Sequence, residues 1–227
     1  MRKFIALLVF ACAAAHAGAQ FIFSVSATAN ATGSGYTAGQ NAVFTFAVTG
    51  ADLSTNAGNQ FFSYTNQWWE DITSDTQLFT AISGTGITGT LARPAANSND
   101  PFSYIQALPA SPPPSLLTFD AGAQTSNLGL IVNGQTVQEI TVGNLDWGAS
   151  LPTPGTYTAL TSYFTPFFGT HALNSGGYVD LSLTGGPLVS FTATSLTIAA
   201  VPEPSTSALL ALGGGGLAVV SIRRRRA

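Results

Sequence analysis

Between Gln20 and Ala200 the chain has no cysteine and no lysine. Its single cysteine, Cys12, lies in an apolar run near the amino terminus, so a chain shortened past that run has no disulfide and no thiol chemistry. Arg93 is the only base of residues 20–200. It stands against nine acids (Asp52, Glu70, Asp71, Asp75, Asp100, Asp120, Glu139, Asp146 and Asp180), which leaves this segment at −8. One arginine cannot line a groove for phosphate backbones, which excludes nucleic acid as a partner. His171 is the one histidine beyond residue 19, too few for a zinc site of the usual nitrogen and sulfur ligands. The Gly-x-Ser-x-Gly elbow and the Gly-x-x-x-x-Gly-Lys phosphate loop are both missing. The expectation is therefore no catalytic residues, no metal and no cofactor: the protein is not an enzyme.

Both ends read as targeting elements. Arg2-Lys3 followed by Phe4–Ala13 has the charged start and short apolar stretch of a secretory signal. Small residues place its cleavage after Ala19, with Ala17 as the second choice, so residues 1–19 are expected to be removed by signal peptidase after export by the Sec machinery. The alternative, a retained anchor, needs about 20 apolar residues, more than this run supplies.

Residues 20–200 carry a period of two. Phe21, Phe23 and Val25 alternate with Ser and Thr, as do Phe44, Phe46 and Val48, which is the pattern of half-buried strands. Further strands are expected at 61–65, 68–73, 77–83, 86–91, 116–120, 128–132, 136–142, 156–163, 178–184 and 188–199. Asn133-Gly134 is a tight hairpin turn, since both of its positions need positive φ. Residues 30–39 and 95–100 read as loops, and Pro109–Pro114 as the strongest interruption. No helical period is evident. Short strands with glycine-rich turns point to one all-β domain over 20–200, an antiparallel β-sandwich of jelly-roll type. Two small sandwiches divided at the prolines would each lack a disulfide to support them.

Within this domain four features invite a chemical reading. Trp68-Trp69, preceded by Phe61, Phe62 and Tyr64, offers a stacking platform for a sugar ring if either indole is exposed; the plainer reading buries both in the core. Glu70-Asp71 suggests a glycosidase pair, but neighbours on a strand point to opposite faces. Asn97–Asp100 and Asn144–Asp146 carry oxygens suited to calcium, without the spacing of a calcium loop. His171, after Phe167-Phe168-Gly169-Thr170, reads as a surface or loop-packing residue.

The tail is the most specific stretch. Pro202-Glu203-Pro204 holds an extended backbone displaying one carboxylate. Residues 206–222 then run without a charge for about 25 Å as a helix, a short transmembrane span softened by Gly213–Gly216. Arg223, Arg224, Arg225 and Arg226 close it and set the carboxyl end in the cytoplasm. This order over Val201–Ala227 resembles the PEP-CTERM sorting signal of exported bacterial proteins. The resemblance implies a membrane-embedded exosortase as partner, with Pro202, Glu203 and Pro204 as recognition residues and Arg223–Arg226 as the cytoplasmic stop. It implies passage across the inner membrane, transient anchoring, then the cell surface or the extracellular matrix of exopolysaccharide-making, biofilm-forming bacteria. The expected function is thus a structural or adhesive protein of that matrix, with exopolysaccharide as a partner. A carbohydrate-binding module using Trp68 or Trp69 is the alternative, and a secreted hydrolase the weaker one.

Overall fold

The computed structural model describes residues 19–49, 61–63, 67–71, 78–92, 103–108, 116–122, 127–151, 160–174, 176–186 and 188–201. Among them the alternation of large apolar and small polar residues produces thirteen strands. These are β1 (Ala19–Ala29), β2 (Asn41–Thr49), β3 (Phe61–Ser63), β4 (Gln67–Asp71), β5 (Phe79–Gly84), β6 (Ile87–Gly89), β7 (Ser103–Leu108), β8 (Leu116–Gly122), β9 (Leu130–Val132), β10 (Gln135–Leu145), β11 (Gly169–Ala172), β12 (Tyr178–Leu183) and β13 (Val189–Ala200). One short helix, α1 (Leu160–Phe164), runs into a 3-10 turn over Thr165–Phe167.

All the strand pairs are antiparallel and join into one continuous sheet, in the order β3-β4-β7-β8-β10-β12-β13-β1-β2-β5. β11 adds to β13, and β9 links β6 to β10 through the hairpin at Asn133-Gly134, whose φ angles are 47° and 79°. The sheet curls until β8 faces β1, β2 and β5. Phe119 of β8 stacks on Phe23 of β1 at 4.9 Å and meets Phe46 of β2 edge-on at 4.8 Å. Phe164 of α1 plugs the same core, with its ring 5.1 Å from Phe23. The all-β antiparallel class is as expected, built as one curved sheet whose two halves pack across a shared aromatic core.

Burial follows the alternation strand by strand. On β1, Phe21, Phe23 and Val25 are fully buried while Ile22, Ser24 and Ser26 are half-buried on the other face. On β13 a bulge opposite Ser26–Ala27 leaves Thr194 and Ser195 unburied in succession, so that Ala193 and Leu196 both face inward. Three segments differ from the sequence reading. Ser103–Leu108 and Gly169–Ala172 are strands where none was expected. Of the strand expected over 156–163, residues 156–159 lie outside the described residues and 160–163 belong to α1, where Tyr163 and Phe164 are drawn into the core by packing rather than by any helical pattern. Residues 95–100 and 109–114 lie outside the described residues, as do the signal stretch expected before Ala19 and the membrane span expected at 206–222. Among the described residues no helix is long and apolar enough to cross a membrane.

The ring contacts predict a steep cost for losing Phe119. Phe119→Ala is expected to lower stability by about 3–5 kcal/mol, checked by denaturant unfolding.

Candidate functional site

Strand register brings together side chains that are far apart in sequence. On the inward face, Ile105 of β7 lies opposite Phe119 of β8, both fully buried. The alternate residues form a row on the outward face: Tyr104 opposite Asp120, Asp120 opposite Thr141 of β10, and Thr141 opposite Asp180 of β12. A second outward row runs from Gln106 to Thr118, with Tyr178 of β12 opposite Gly143 one strand further. The Tyr178 ring lies across Gly143, in space that a Cβ would occupy.

Asp120 is the unusual member. It sits on the outward face yet is only 6 % exposed. Thr141 Oγ1 donates to its Oδ2 at 3.0 Å, while Oδ1 is buried without a hydrogen-bond partner among the described residues. Glu139 stands diagonally across β10, opposite Gly122, where no side chain fills the space between them. Burial first, and the charge of Glu139 second, push the Asp120 pKa up to about 8, against the opposing pull of Thr141. Burial likewise raises Tyr104 to about 12, helped by the charge of Asp120, and raises Tyr178, helped by Asp180 and Asp120. No Lys or Arg occurs among the described residues to balance these acids, and Arg93 lies outside them. The arrangement is two tyrosines beside three carboxylates and the side chains of Gln106, Thr118 and Thr141. It can stack on rings and hydrogen-bond hydroxyls or amines.

The two tryptophans separate here. In the pairing of β4 with β7, Trp68 takes the position opposite Gln106 and Trp69 the position opposite Ile105. Trp68 thus holds a place on the outward row and Trp69 one on the inward row. By the same register Glu70 lies opposite Tyr104 and Asp71 opposite Ser103, which puts the adjacent acids on different faces as the strand period requires. Ser103 is buried, and its Oγ has no hydrogen-bond partner among the described residues.

The other candidates have structural roles. Asp146 is buried and accepts from Gly148 N at 2.8 Å and from Asn174 Nδ2 at 3.0 Å, so both carboxylate oxygens hold the turn after β10. Asn144 accommodates a φ of 55°, and its N–H reaches Thr118 Oγ1 at 3.3 Å. His171 is half-buried on β11, with Nε2 2.8 Å from the Phe167 carbonyl and its ring 5.6 Å from Trp147. Trp147, not singled out from sequence, packs on Phe167 as well. Among the described residues no group of three or more His, Cys, Asp or Glu is placed to hold a metal ion. Asn97–Asp100 lie outside the described residues, as do Pro202, Glu203, Pro204 and Arg223–Arg226. β1 begins at Ala19, the proposed cleavage point, so a chain starting at Gln20 starts inside the first strand.

Tyr104, Tyr178, Asp120 and Glu139 escaped the sequence reading as a group. A period of two over Ser103–Leu108 was the available signal for Tyr104. The neighbourhood of Asp120 and Glu139 depends on register, which one sequence does not state. Gly143→Ala is expected to displace the Tyr178 ring and lower stability by about 1–3 kcal/mol, measured by denaturant unfolding.

No curated protein sequence and no solved structure matches the chain. Residues 200–226 match the PEP-CTERM protein-sorting motif. They begin at the last residue of β13, with Val201 alone between that strand and Pro202. The chain therefore carries a PEP-CTERM sorting motif at its carboxyl end, which implies processing by an exosortase and sorting toward the cell surface.

Proposed function

We propose that the β domain is a non-enzymatic, adhesive component of the extracellular matrix that holds polysaccharide on the outward face of β4, β7, β8, β10 and β12. The observation that carries this reading is the pair of outward tyrosines, Tyr104 and Tyr178, set among Gln106, Thr118, Asp120, Thr141 and Asp180. Trp68 shares the outward register, which favours it over Trp69 as a stacking residue. Aromatic faces beside neutral and acidic hydrogen-bonding groups suit sugar rings. With nine acids against Arg93 in residues 20–200, the ligand is a neutral or amine-bearing glycan, since an anionic polymer would be repelled.

Binding is favoured over hydrolysis for a geometric reason. Asp120 is buried, and its free oxygen cannot reach a glycosidic bond. Glu70 and Asp71 occupy opposite faces by register, so they cannot flank one bond.

Two experiments test the proposal. On a panel of neutral, amine-bearing and anionic polysaccharides with calcium supplied, the protein is expected to retain the first two. Trp68→Ala and Tyr178→Ala should each weaken retention about tenfold or more, or about 1.4 kcal/mol, and Trp69→Ala should leave it unchanged. Retention of none of the glycans by the wild type would overturn the binding role. Replacing Pro202, Glu203 and Pro204 by alanine is expected to leave full-length protein in the inner membrane, followed by fractionation and immunoblotting. Unaltered processing would reduce the tail to an anchor.

A further inference from the structure

We propose that Asp120 and Glu139 hold a single proton between them and act as a pH-sensitive clasp across the β8–β10 seam. The geometry comes from three features. Asp120 and Thr141 are paired across the seam, and Glu139 lies two residues along β10 on the same face, within reach of a long side chain. Its own partner is Gly122, which leaves the space beside Asp120 free for the Glu139 carboxyl. Gly122 has a φ of 92°, and a Cβ there would run into the Gln138 carbonyl, so no larger residue can take its place.

Asp120 Oδ1 is buried and has no donor among the described residues. Besides the Thr141 hydroxyl and the Ala121 N–H, the Glu139 carboxyl comes close enough to hydrogen-bond Asp120. Two ionised carboxylates only accept, so this contact is a bond when one of the pair is protonated and a repulsion when neither is. A shared proton accounts for both the orphaned oxygen and the tolerance of a buried acid without a base. The groups facing the pair add no positive charge. They are Tyr104 on β7, Thr141 on β10, and Tyr178 and Asp180 on β12, with Glu70 of β4 at the position opposite Tyr104.

The sign of the effect follows from the direction of the Asp120 shift. Its folded pKa, about 8, lies above the ordinary carboxyl value of 3.8. The folded state therefore binds a proton that the unfolded chain has released. The stabilisation is complete below about pH 4, declines from there to about pH 8, and is gone above it. His171, on β11, is not paired with either strand of the Asp120–Glu139 seam.

The test is thermal unfolding of the full chain in mild detergent between pH 5 and pH 9, read by circular dichroism. The wild type is expected to melt about 5–10 °C lower at pH 9 than at pH 5. Asp120→Asn should remove that difference, Glu139→Gln should reduce it, and His171→Gln should preserve it. A wild-type midpoint independent of pH, or an Asp120→Asn variant that keeps the wild-type slope, overturns the clasp. A full slope in Glu139→Gln overturns the sharing and leaves Asp120 acting alone. Should Asp120→Asn fail to fold, the wild type decides by infrared spectroscopy. A protonated-carboxyl stretch is expected at pH 7 and lost by pH 9, and its absence at pH 7 would falsify the proposal.

Discussion

The packing of Phe119, stacked on Phe23 and edge-on to Phe46, is the contact on which the rest of the structure depends. A single antiparallel sheet of this length has two faces, and one of them here is lined with large apolar side chains from β1 to β13. With no cysteine in residues 20–200, removal of that face from water is the main force available to hold the fold. Curling the sheet until β1 and β2 meet β8 accomplishes it. The curl also gives the opposite face its curvature and its chemistry. It brings residues from either side of the proline run onto neighbouring strands, β7 and β8, within one continuous ladder.

Two consequences concern the sorting tail and the outward surface. Phe21 pairs with Ala200, so the start of β1 and the end of β13 leave the sheet at the same rim. The sorting motif matched over residues 200–226 begins at the last residue of β13. The outward surface is divided chemically. Across β2, β1 and β13 it carries hydroxyls without charge: Ser24 bonds Thr45 at 3.1 Å, and Thr28, Thr192 and Thr194 line the same side. Across β7, β8, β10 and β12 it carries tyrosines and acids. The outward tyrosines and acids thus share one part of the surface.

Much of the fold was legible because it is local. Phe21–Val25 and Phe44–Val48 announce their strands through side-chain period alone, and Asn133-Gly134 announces its turn through the φ angles it must adopt. β7 was hidden because Ser103 and Ala107 are small inward residues, giving weak contrast with Tyr104 and Gln106. α1 was hidden because five residues are too few to show a helical period, and tertiary packing of Tyr163 and Phe164 decides it. Asp120 offered nothing by itself, since an acid at the end of an apolar strand is ordinary. Its character comes from burial under neighbours supplied by β7, β10 and β12.

Sequence alone determined the address, the strand class and the exclusions. The sorting motif is contiguous, strand periodicity needs only nearest neighbours, and missing cysteines or lysines are missing in any fold. Tertiary structure decided which residues act together. A slip of one residue in pairing would turn every side chain of a strand to the other face. Placing Trp68 rather than Trp69 on the outward row, and Glu139 beside Asp120, therefore depends on hydrogen-bonded register set by the whole curled sheet. The aromatic core that sets this register draws on β1, β2, β5 and β8, strands spread over a hundred residues of chain.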